Sequence, residues 1–540
     1  MKTVVALRSC RSIATKCNIL LPRVLLIDRI LMLATMYALV LCFIYLPLGI
    51  IAVVIPRDVN NWDLVSQESN GDIPNHFQFP RTRRVNTVPG DHASFLQHSG
   101  AKWNSGRVLP SPPQTPNGTY ALNVRRFGAK GDGKGDDTAA FQKALDQSYK
   151  LGSLFVLAPP GQYVIRANLT IPVGVTLKGS YMYAPSHVVN RNPPHDPPSE
   201  GSVLLAYGGR NVSSGCLITV SELATFSGFT VYYPDQVQDK APVPYPWSVC
   251  LDGINTAVTD VECLNCWNAV KAVKAPRHYI ARIQGQPINM GVYVDENHDV
   301  GRIEDVHFVP WYSKNLTYIQ WQFVNGQAFV FGHTNWQYVF NTFAFGYAVG
   351  YRFLDAETGA CNGNFLGIGA DMMANSSVLV DNVKPDGIHI TNGEFTAFRK
   401  YTWGKQIADP TQIHIRGTNR GGVRISNSAF WGPSDQIAIV AGSGTTGFMG
   451  CTFVNWDAYN IRTPAIYVIG ATGNLIVEGC DFAKKGNPPV HIILDTTLAR
   501  AIITGNTFAT RLWMYGSAHN TQIGLNADDS EHKTIPNDQP

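Results

Sequence analysis

The chain has 540 residues, of which 45% are hydrophobic and 15% charged, and its formal net charge is +4. This is enough apolar material for a large core, and the charge is too low for a disordered chain. Lys and Arg form no block outside the N-terminal segment, so the chain is not expected to bind nucleic acid. The 49 Gly, 33 Pro and 11% aromatic residues favour a protein of strands and turns.

The first predicted element is an uncharged apolar segment at residues 30–55. It exceeds the roughly 20 residues that cross a bilayer. The basic segment before it, residues 1–29, predicts that this end is cytoplasmic and the bulk of the chain lies outside. The length and the poor cleavage site favour an uncleaved signal anchor over a removed signal peptide. The expected protein is therefore membrane-anchored with its C-terminal domain outside the cytoplasm, or secreted.

Two further features fit an extracellular location. Five Asn-x-Ser/Thr triplets, typical of a glycoprotein, lie at Asn117, Asn168, Asn211, Asn315 and Asn375. Seven cysteines follow the anchor, and this odd number leaves at least one thiol unpaired within the chain. The sequence does not determine the disulfide pairing. Cys263-x-x-Cys266 lacks a second pair at zinc-ribbon spacing, so no metal site is expected.

After the anchor, residues 56–119 are rich in Pro, Asn, Ser and Gly and are predicted to be a linker. The folded domain is predicted at residues 120–515, followed by a polar tail at 516–540. It opens with a short strand, a Gly-rich turn and a helix whose N-terminus Asp136 or Asp137 can cap. Ala140, Phe141, Ala144 and Leu145 would form the apolar face of that helix.

A repeat in the C-terminal half predicts the architecture. Five segments (388–395, 423–430, 447–453, 475–482 and 501–508) alternate apolar residues, then place Asn or Gly, and then Phe. Each follows another short apolar strand, so one repeat resembles one coil of a parallel β-helix. Asn and Gly suit a left-handed turn, and the five Phe would stack in the interior. A β-sandwich is the alternative, but it need not repeat the same residues at the same place.

The segment 127–145, FGAKGDGKGDDTAAFQKAL, resembles the entry motif of the pectate-lyase-like β-helix superfamily. That superfamily includes rhamnogalacturonase-like and epimerase-like proteins and phage tailspikes. Its motif is F-G-A-x-G-D-G-x-x-D-D-T-x-A-F/I-Q-x-A, and this chain departs from the common form at Gly135. The resemblance covers residues 120 to about 515. It implies an all-β fold, a right-handed single-stranded parallel β-helix capped by a short N-terminal helix, here preceded by one transmembrane helix.

The Asp-rich motif itself is interpreted as helix capping rather than as catalysis. Chemistry is expected instead on the outer face near residues 330–420, where outward side chains form a grid. On that grid, coils are about 4.8 Å apart and alternate residues about 6.6 Å apart. Two carboxylates can therefore meet the separations that glycoside hydrolysis needs, about 5–5.5 Å for retention or about 6.5–9.5 Å for inversion.

The candidate catalytic residues are acids in this region: Asp355, Glu357, Asp371, Asp381 and Glu394. Asp355 and Glu357 would share a strand face, and Asp371 and Glu394, 23 positions apart, would stack on neighbouring coils. The candidate substrate-binding residues are His333, Trp336, Arg352, His414 and Arg416. Each candidate also has a structural interpretation, such as hydrogen bonding in a turn or a solvated position.

The first functional hypothesis is an extracellular polysaccharide-active enzyme, most consistent with a glycoside hydrolase. The second is a polysaccharide lyase or epimerase, which would need Arg or Lys beside the sugar carboxylate. The third is a non-catalytic glycan-binding or structural surface protein. The chain lacks the residue set of polygalacturonases, so the reaction type stays open. No cofactor is expected, and Ca²⁺ would enter only with lyase chemistry. The partners are polysaccharide and, through the N-terminal helix, a membrane; the oligomeric state is open.

Overall fold

The computed structural model describes residues 121–528 except 153, 188–196, 399–409 and 485–489. The cytoplasmic segment, transmembrane anchor and linker predicted for residues 1–119 lie outside the described residues. Among the residues that are described, no helix combines the length and apolarity needed to span a membrane.

The chain winds into a parallel β-helix whose coils carry strands on three faces, here named a, b and c. Each coil passes along face b, turns onto face c and returns along face a. Face a consists of β5 (Leu169–Ile171), β8 (Cys216–Val220), β11 (Trp247–Leu251), β13 (Asn268–Val273), β15 (Met290–Asp295), β17 (Gln327–Phe331), β19 (Val349–Phe353), β21 (Ser376–Val380), β24 (Thr411–Ile415), β27 (Gln436–Gly442), β30 (Ile466–Ala471), β33 (Ile492–Ile493) and β36 (Met514–Tyr515).

Faces b and c are joined into one large sheet because five central strands run continuously around the corner between them. Those strands are β12 (Ala257–Cys263), β14 (Tyr279–Gly285), β16 (Arg302–Phe308), β18 (Gln337–Phe345) and β20 (Cys361–Met373). The other strands of face b are β1 (Ala121–Asn123), β3 (Phe155–Leu157), β6 (Thr176–Lys178), β9 (Thr225–Ser227), β22 (Val383–Thr391), β25 (Val423–Ser426), β28 (Thr445–Met449), β31 (Asn474–Glu478), β34 (Arg500–Thr504) and β37 (Asn520–Gly524). The other strands of face c are β2 (Asp132–Asp136), β4 (Gly161–Ile165), β7 (Ser202–Ala206), β10 (Thr230–Tyr232), β23 (Glu394–Ala397), β26 (Ala429–Phe430), β29 (Thr452–Phe453), β32 (Asp481–Phe482) and β35 (Thr507–Phe508).

The corner between faces b and c is a single residue in left-handed backbone geometry, repeated from coil to coil. The predicted Asn and Gly positions are confirmed, with φ of 54° at Asn392, 48° at Asn427 and 62° at Gly450. Earlier coils place Asp260 and Arg282 at the same corner, with φ of 59° and 52°. Because one residue makes the turn, the strands on both sides keep the same register in successive coils.

The predicted phenylalanine stack runs through the interior behind face c. The rings of Phe395, Phe430, Phe453, Phe482 and Phe508 lie 4.5–5.6 Å apart from coil to coil, and all five are at most 4% exposed. Parallel rings at this spacing match the coil repeat of about 4.8 Å, so the stack aligns the coils as well as filling the core.

The first coil is covered by α1 (Thr138–Lys150), which follows a 3₁₀ helix (Val124–Phe127) and β2. Phe141, Ala144 and Leu145 of α1 are buried in the core, as predicted. Asp136 Oδ1 accepts hydrogen bonds from Thr138, whereas Asp137 accepts from the backbone N–H groups of Lys130 and Gly131 in the Gly-rich turn. The Asp-rich motif therefore holds the turn and starts the helix.

Three features were not anticipated from the sequence. β37 pairs with β34, so the β-helix continues past residue 515, the predicted boundary. Its residues are polar and mostly exposed, and they give no apolar alternation to detect. A second helix, α2 (Leu316–Asn325), lies between β16 and β17 and is capped by the side chain of Asn315. A disulfide joins Cys216 and Cys250 on adjacent strands of face a.

Candidate active site on face a

The outward side chains of face a form a row that crosses the coils. Arg352 in β19 is the register partner of Leu379 in β21, which pairs with His414 in β24, which pairs with Ile439 in β27. The neighbours of His414 on its strand, Ile413 and Ile415, are fully buried. The alternation of the strand therefore directs His414 outward, as predicted from the sequence.

This row borders a groove of about 700 Å³. Five of the ten residues selected from the sequence line it: Arg352, Asp355, Asp381, His414 and Arg416. The remainder of the lining is largely aliphatic and includes Leu354, Ile439 and Ile469. The structure therefore brings together residues that lie up to 64 positions apart in the chain, from Arg352 to Arg416.

Asp381 is the central carboxylate of this groove, and two arginines hold it. Arg352 Nε donates to Asp381 Oδ2 at 2.9 Å, and Arg416 Nη1 lies 3.0 Å from Asp381 Oδ1. The Asp381 side chain is only 10% exposed, whereas the Arg416 side chain is 46% exposed. One buried negative charge thus orients two guanidinium groups, and Arg416 keeps much of its surface open to the groove.

Asp355 is the second carboxylate, and it is also engaged. Asn382 Nδ2 donates to Asp355 Oδ1 at 2.9 Å, and Arg420 Nη2 lies 3.5 Å from the same oxygen. Arg420 itself is fixed through its backbone N–H, which donates to Asn382 Oδ1. Within the lining, Arg352 and Arg416 balance Asp355 and Asp381. Arg420 contacts Asp355 from beside the groove and gives the whole cluster one positive charge in excess.

His414 lies between these charges. Burial lowers the pKa of its imidazole, and the nearby Arg416 lowers it further, while Asp381 acts in the opposite direction. The imidazole is therefore neutral near pH 7, with a nitrogen lone pair available to accept a proton.

A second polar cluster lies on the same face, nearer the N-terminal coils, around Asp295. Its carboxylate accepts hydrogen bonds from Tyr293 Oη, Thr358 Oγ1 and the backbone N–H groups of Glu296 and His333. Burial alone would raise the pKa of Asp295, but the hydrogen bonds from Thr358, His333 and Tyr293 together hold it below its usual value. Asp295 therefore acts as a fixed anion that joins three segments of chain.

His333 belongs to this second cluster. Its ring meets that of His298 edge-on, with ring centroids 4.8 Å apart. Burial and the nearby Lys384 lower the pKa of His333. Lys384 is held in turn by the backbone carbonyl of Thr334 and by the side chain of Asn335. The predicted site residue His333 thus lies just beyond the end of β17 of face a, in a cluster separate from Arg352 and His414.

The remaining predicted residues lie elsewhere. Glu357 is exposed in the loop after β19, so it does not share a strand face with Asp355; β19 ends at Phe353 and the chain turns back at Ala356–Gly359. Trp336 precedes β18 and lies towards face b. The placement of Glu357 corrects its grouping with Asp355, and Trp336 lies outside the lining of the groove.

Asp371 and Glu394 lie on face c rather than in the groove. Glu394 pairs in register with Gly369, two residues before Asp371, because this coil contains 25 residues (394 − 369) rather than 23. Burial raises the pKa of Asp371, and burial together with the charge of Asp371 raises that of Glu394. The two carboxyls therefore lie close enough to interact, but diagonally instead of stacked.

Sequence reasoning missed Tyr293, Asp295 and Arg420. The alternation Tyr293-Val294-Asp295 at the end of an apolar strand is the signal that identifies the first two. Arg420 gave no such signal because it lies in a loop.

A metal would need free ligands. In the described part of the chain, no three His, Cys, Asp or Glu side chains gather as a metal-binding group. The two carboxylates of the groove both contact arginines.

The match to a known protein family falls on the N-terminal coils. Residues 121–193 match the family model described as rhamnogalacturonase A/epimerase, pectate lyase-like. This segment contains the entry motif at residues 127–145, so the predicted resemblance to the pectate-lyase-like superfamily is confirmed.

Individual proteins are similar to this chain over short segments or at low sequence identity. Alginate lyase 7 of Azotobacter vinelandii is 43% identical over 61 residues, which are 11% of this chain and 7% of that protein. The A-module of mannuronan C-5 epimerase AlgE6 of Azotobacter vinelandii aligns with 76% of this chain and 100% of its own, with 14% identity and a TM-score of 0.37. PfbA, a surface adhesin of Streptococcus pneumoniae, aligns with 76% and 91%, with 11% identity and a TM-score of 0.36.

Proposed function

We propose that this protein is a polysaccharide-active enzyme that acts on an acidic polysaccharide laid along face a, by lyase or epimerase chemistry. The observation that carries the proposal is the pairing of Asp381 with Arg352 and Arg416. Two guanidinium groups share one carboxylate, which leaves Arg416 46% exposed to the groove beside a neutral His414. A guanidinium group matches a carboxylate in both charge and geometry.

The two reactions share a first step that this arrangement suits. An arginine neutralises the uronate carboxylate, which makes the hydrogen on the adjacent ring carbon more acidic. His414 removes that proton with its free lone pair. In a lyase, the electron pair forms a carbon–carbon double bond as the bond to the leaving sugar oxygen breaks, and that oxygen takes a proton. In an epimerase, the same carbon is reprotonated on its other face.

The spacing on face a supports this division of roles. His414 and Arg416 are alternate residues of one chain segment, so their backbone positions are about 6.6 Å apart. A carboxylate held at Arg416 would direct its neighbouring ring carbon towards His414. The alginate lyase matched over the N-terminal coil makes polyuronates the first substrates to test.

Glycoside hydrolysis is the second candidate reaction, and a different pair of carboxyl groups favours it. Asp371 and Glu394 both have raised pKa values, and a general acid must hold its proton near neutral pH. Their diagonal offset of one coil and two residues corresponds to about 8 Å, which falls in the range for inversion. The carboxylates of face a suit this role less because arginines engage them.

The cellular setting of this function is also a proposal. The apolar segment at residues 30–55 would anchor the chain and present the β-helix outside the cytoplasm. Retention of the full-length chain in membranes after alkaline extraction is the expected result. Release of the chain into the soluble fraction would contradict anchoring without affecting the enzyme proposal.

The decisive experiment is activity of the full-length chain on polymannuronate, polyguluronate and polygalacturonate. We expect absorbance of unsaturated uronates in the lyase case, or incorporation of solvent deuterium at the carbon next to the carboxylate in the epimerase case. The variant H414Q should abolish either signal, and S443A, outside the lining of the groove, is the matched control. New reducing ends without unsaturation would favour hydrolysis and direct attention to Asp371 and Glu394. Binding without any product would leave a glycan-binding protein.

A further inference from the structure

β18 carries a band of outward aromatic side chains that the proposed site on face a does not use. Tyr338 and Phe340 alternate along face b, and Phe343 and Phe345 continue the band onto face c. Trp336 lies directly before the strand, in left-handed backbone geometry. Trp336, Tyr338 and Phe340 are 41%, 44% and 51% exposed. Successive outward positions on a strand are about 6.6 Å apart, so the band runs along one coil, perpendicular to the axis of the β-helix.

The next coil leaves this band uncovered. Asn364, Leu366 and Gly369 of β20 are the register partners of Tyr338, Phe340 and Phe343. A Cβ at Gly369 would lie 2.5 Å from Phe343 Cδ2, so only glycine allows the ring to lie flat at this position. On the preceding coil, the ring of His307 meets the ring of Phe343 at 5.1 Å. The ring of Phe343 is therefore packed on one side, while Tyr338 and Phe340 stay half-exposed.

The borders of the band are polar and mostly acidic. Arg302 and Glu304 of β16 flank Tyr338 and Phe340, and Asp305 lies at the corner beside them. On the other side, Asp371 pairs with Phe345, and Glu394 lies one coil further. Four carboxyls against one arginine disfavour an acidic polymer, in contrast to the groove on face a.

From this geometry we propose that the band is a second carbohydrate-binding surface, specific for a neutral polysaccharide. Aromatic rings stack on the apolar C–H faces of pyranose rings, and the carboxylate and amide groups along the borders accept and donate hydrogen bonds to hydroxyl groups. The proposal stands independently of catalysis on face a, because the two surfaces lie on different faces and have opposite charge.

The size of the band favours a glycan over a second copy of the chain. An aromatic side chain has about 150–250 Å² of surface, so the exposed parts of Trp336, Tyr338 and Phe340 amount to roughly 300 Å². A stable protein interface needs about 800 Å² from each partner. A few sugar rings need much less contact area. A row of aromatic side chains at alternate positions matches an extended glycan chain.

The test is electrophoresis of the full-length chain in native gels that contain hydroxyethyl cellulose, laminarin or xylan. We expect retardation in at least one neutral glycan, and about a tenfold loss of affinity in the double variant Y338A/F340A. Both side chains are half-exposed, so this variant should fold. The matched control is Y149A, which removes an aromatic side chain of 52% exposure from α1. Cleavage or epimerisation of polyuronates should be unchanged in both variants.

Three results would overturn the proposal. The first is the absence of retardation of the parent chain in all three glycans. The second is stronger retardation in alginate gels that Y338A/F340A abolishes, which would assign an acidic ligand to the band. The third is a dimer in light scattering that Y338A/F340A converts to monomer, which would assign the band to a second copy of the chain.

Discussion

Arg352 and Asp381 form a hydrogen-bonded ion pair between neighbouring coils of face a, with Nε 2.9 Å from Oδ2. Arg416, from the following coil, reaches the other carboxylate oxygen. One carboxylate thus joins three successive coils and pairs with two positive charges. This relationship gives separate expectations for binding, for stability and for pH dependence.

The variant R416Q should weaken binding of an acidic polysaccharide. A charge-assisted hydrogen bond contributes about 1.5–3 kcal/mol, so Kd or KM should rise roughly 10- to 100-fold. The effect should shrink at high salt because screening weakens the parent interaction. R500Q, which changes an arginine of face b, is the control. Equal affinities of R416Q and the parent chain at low salt would remove Arg416 from the binding surface.

Replacing Asp381 should have a different effect from replacing Arg416, because Asp381 contacts the arginines rather than the substrate. The variant D381N leaves Arg352 and Arg416 near each other without a counter-charge. We expect a loss of about 1–3 kcal/mol in the free energy of unfolding. Binding of an acidic polymer at low salt should be retained or strengthened. Denaturant titration and binding measured on the same sample test these opposite signs, with D481N on face c as the control. A variant that is stable but unable to bind would place Asp381 against the substrate.

His414 determines the expected pH dependence. The base is active when neutral, and its pKa is lowered by burial and by Arg416. The fall of kcat/KM on the acid side should therefore occur below pH 6.5, the ordinary value for histidine. In R416Q the positive charge is gone, so the acid limb should move up towards 6.5. If the acid limb of the kcat/KM profile does not shift in R416Q, a group other than His414 is responsible for it.

Much of the fold could be predicted from the sequence, because the same sequence pattern recurs in several coils. The Asn or Gly followed by Phe occurs once in each late coil, and both the left-handed corner and the ring stack follow from it. Earlier coils were harder to recognise because Asp260, Arg282 and Asp305 occupy the corner instead. Those side chains form charged contacts there, such as the ion pair of Arg282 with Asp260.

The candidate site was predictable only where strands continued regularly. Asp381, His414 and Arg416 were identified because the apolar residues beside them indicated their outward direction, whereas Arg352 was selected as a polar residue in the same region. Asp355 with Glu357, and Asp371 with Glu394, were grouped from spacing alone. The length of each coil and the end of each strand depend on turns that the spacing does not reveal.

The phenylalanine stack provides a direct test of the fold. Phe453 is fully buried between Phe430 and Phe482, with ring centroids at 5.1 and 4.5 Å. The variant F453A should lose about 3–5 kcal/mol in the free energy of unfolding, and F453L should lose less. F340A, which truncates an exposed ring, should change stability by about 0.5 kcal/mol or less. Similar values for F453A and F340A in denaturant unfolding would contradict the internal stack.

The position of Arg352 within face a has a consequence for how a polymer would be attacked. β19 is the seventh of the thirteen strands of that face in the described part of the chain, so six described strands lie on each side of it. At about 4.8 Å per strand, the face extends about 29 Å in both directions. A long chain lying along the face would be engaged at an internal linkage, far from its ends. Such an enzyme would lower the viscosity of its substrate early and release products of mixed length, as endo-acting enzymes do.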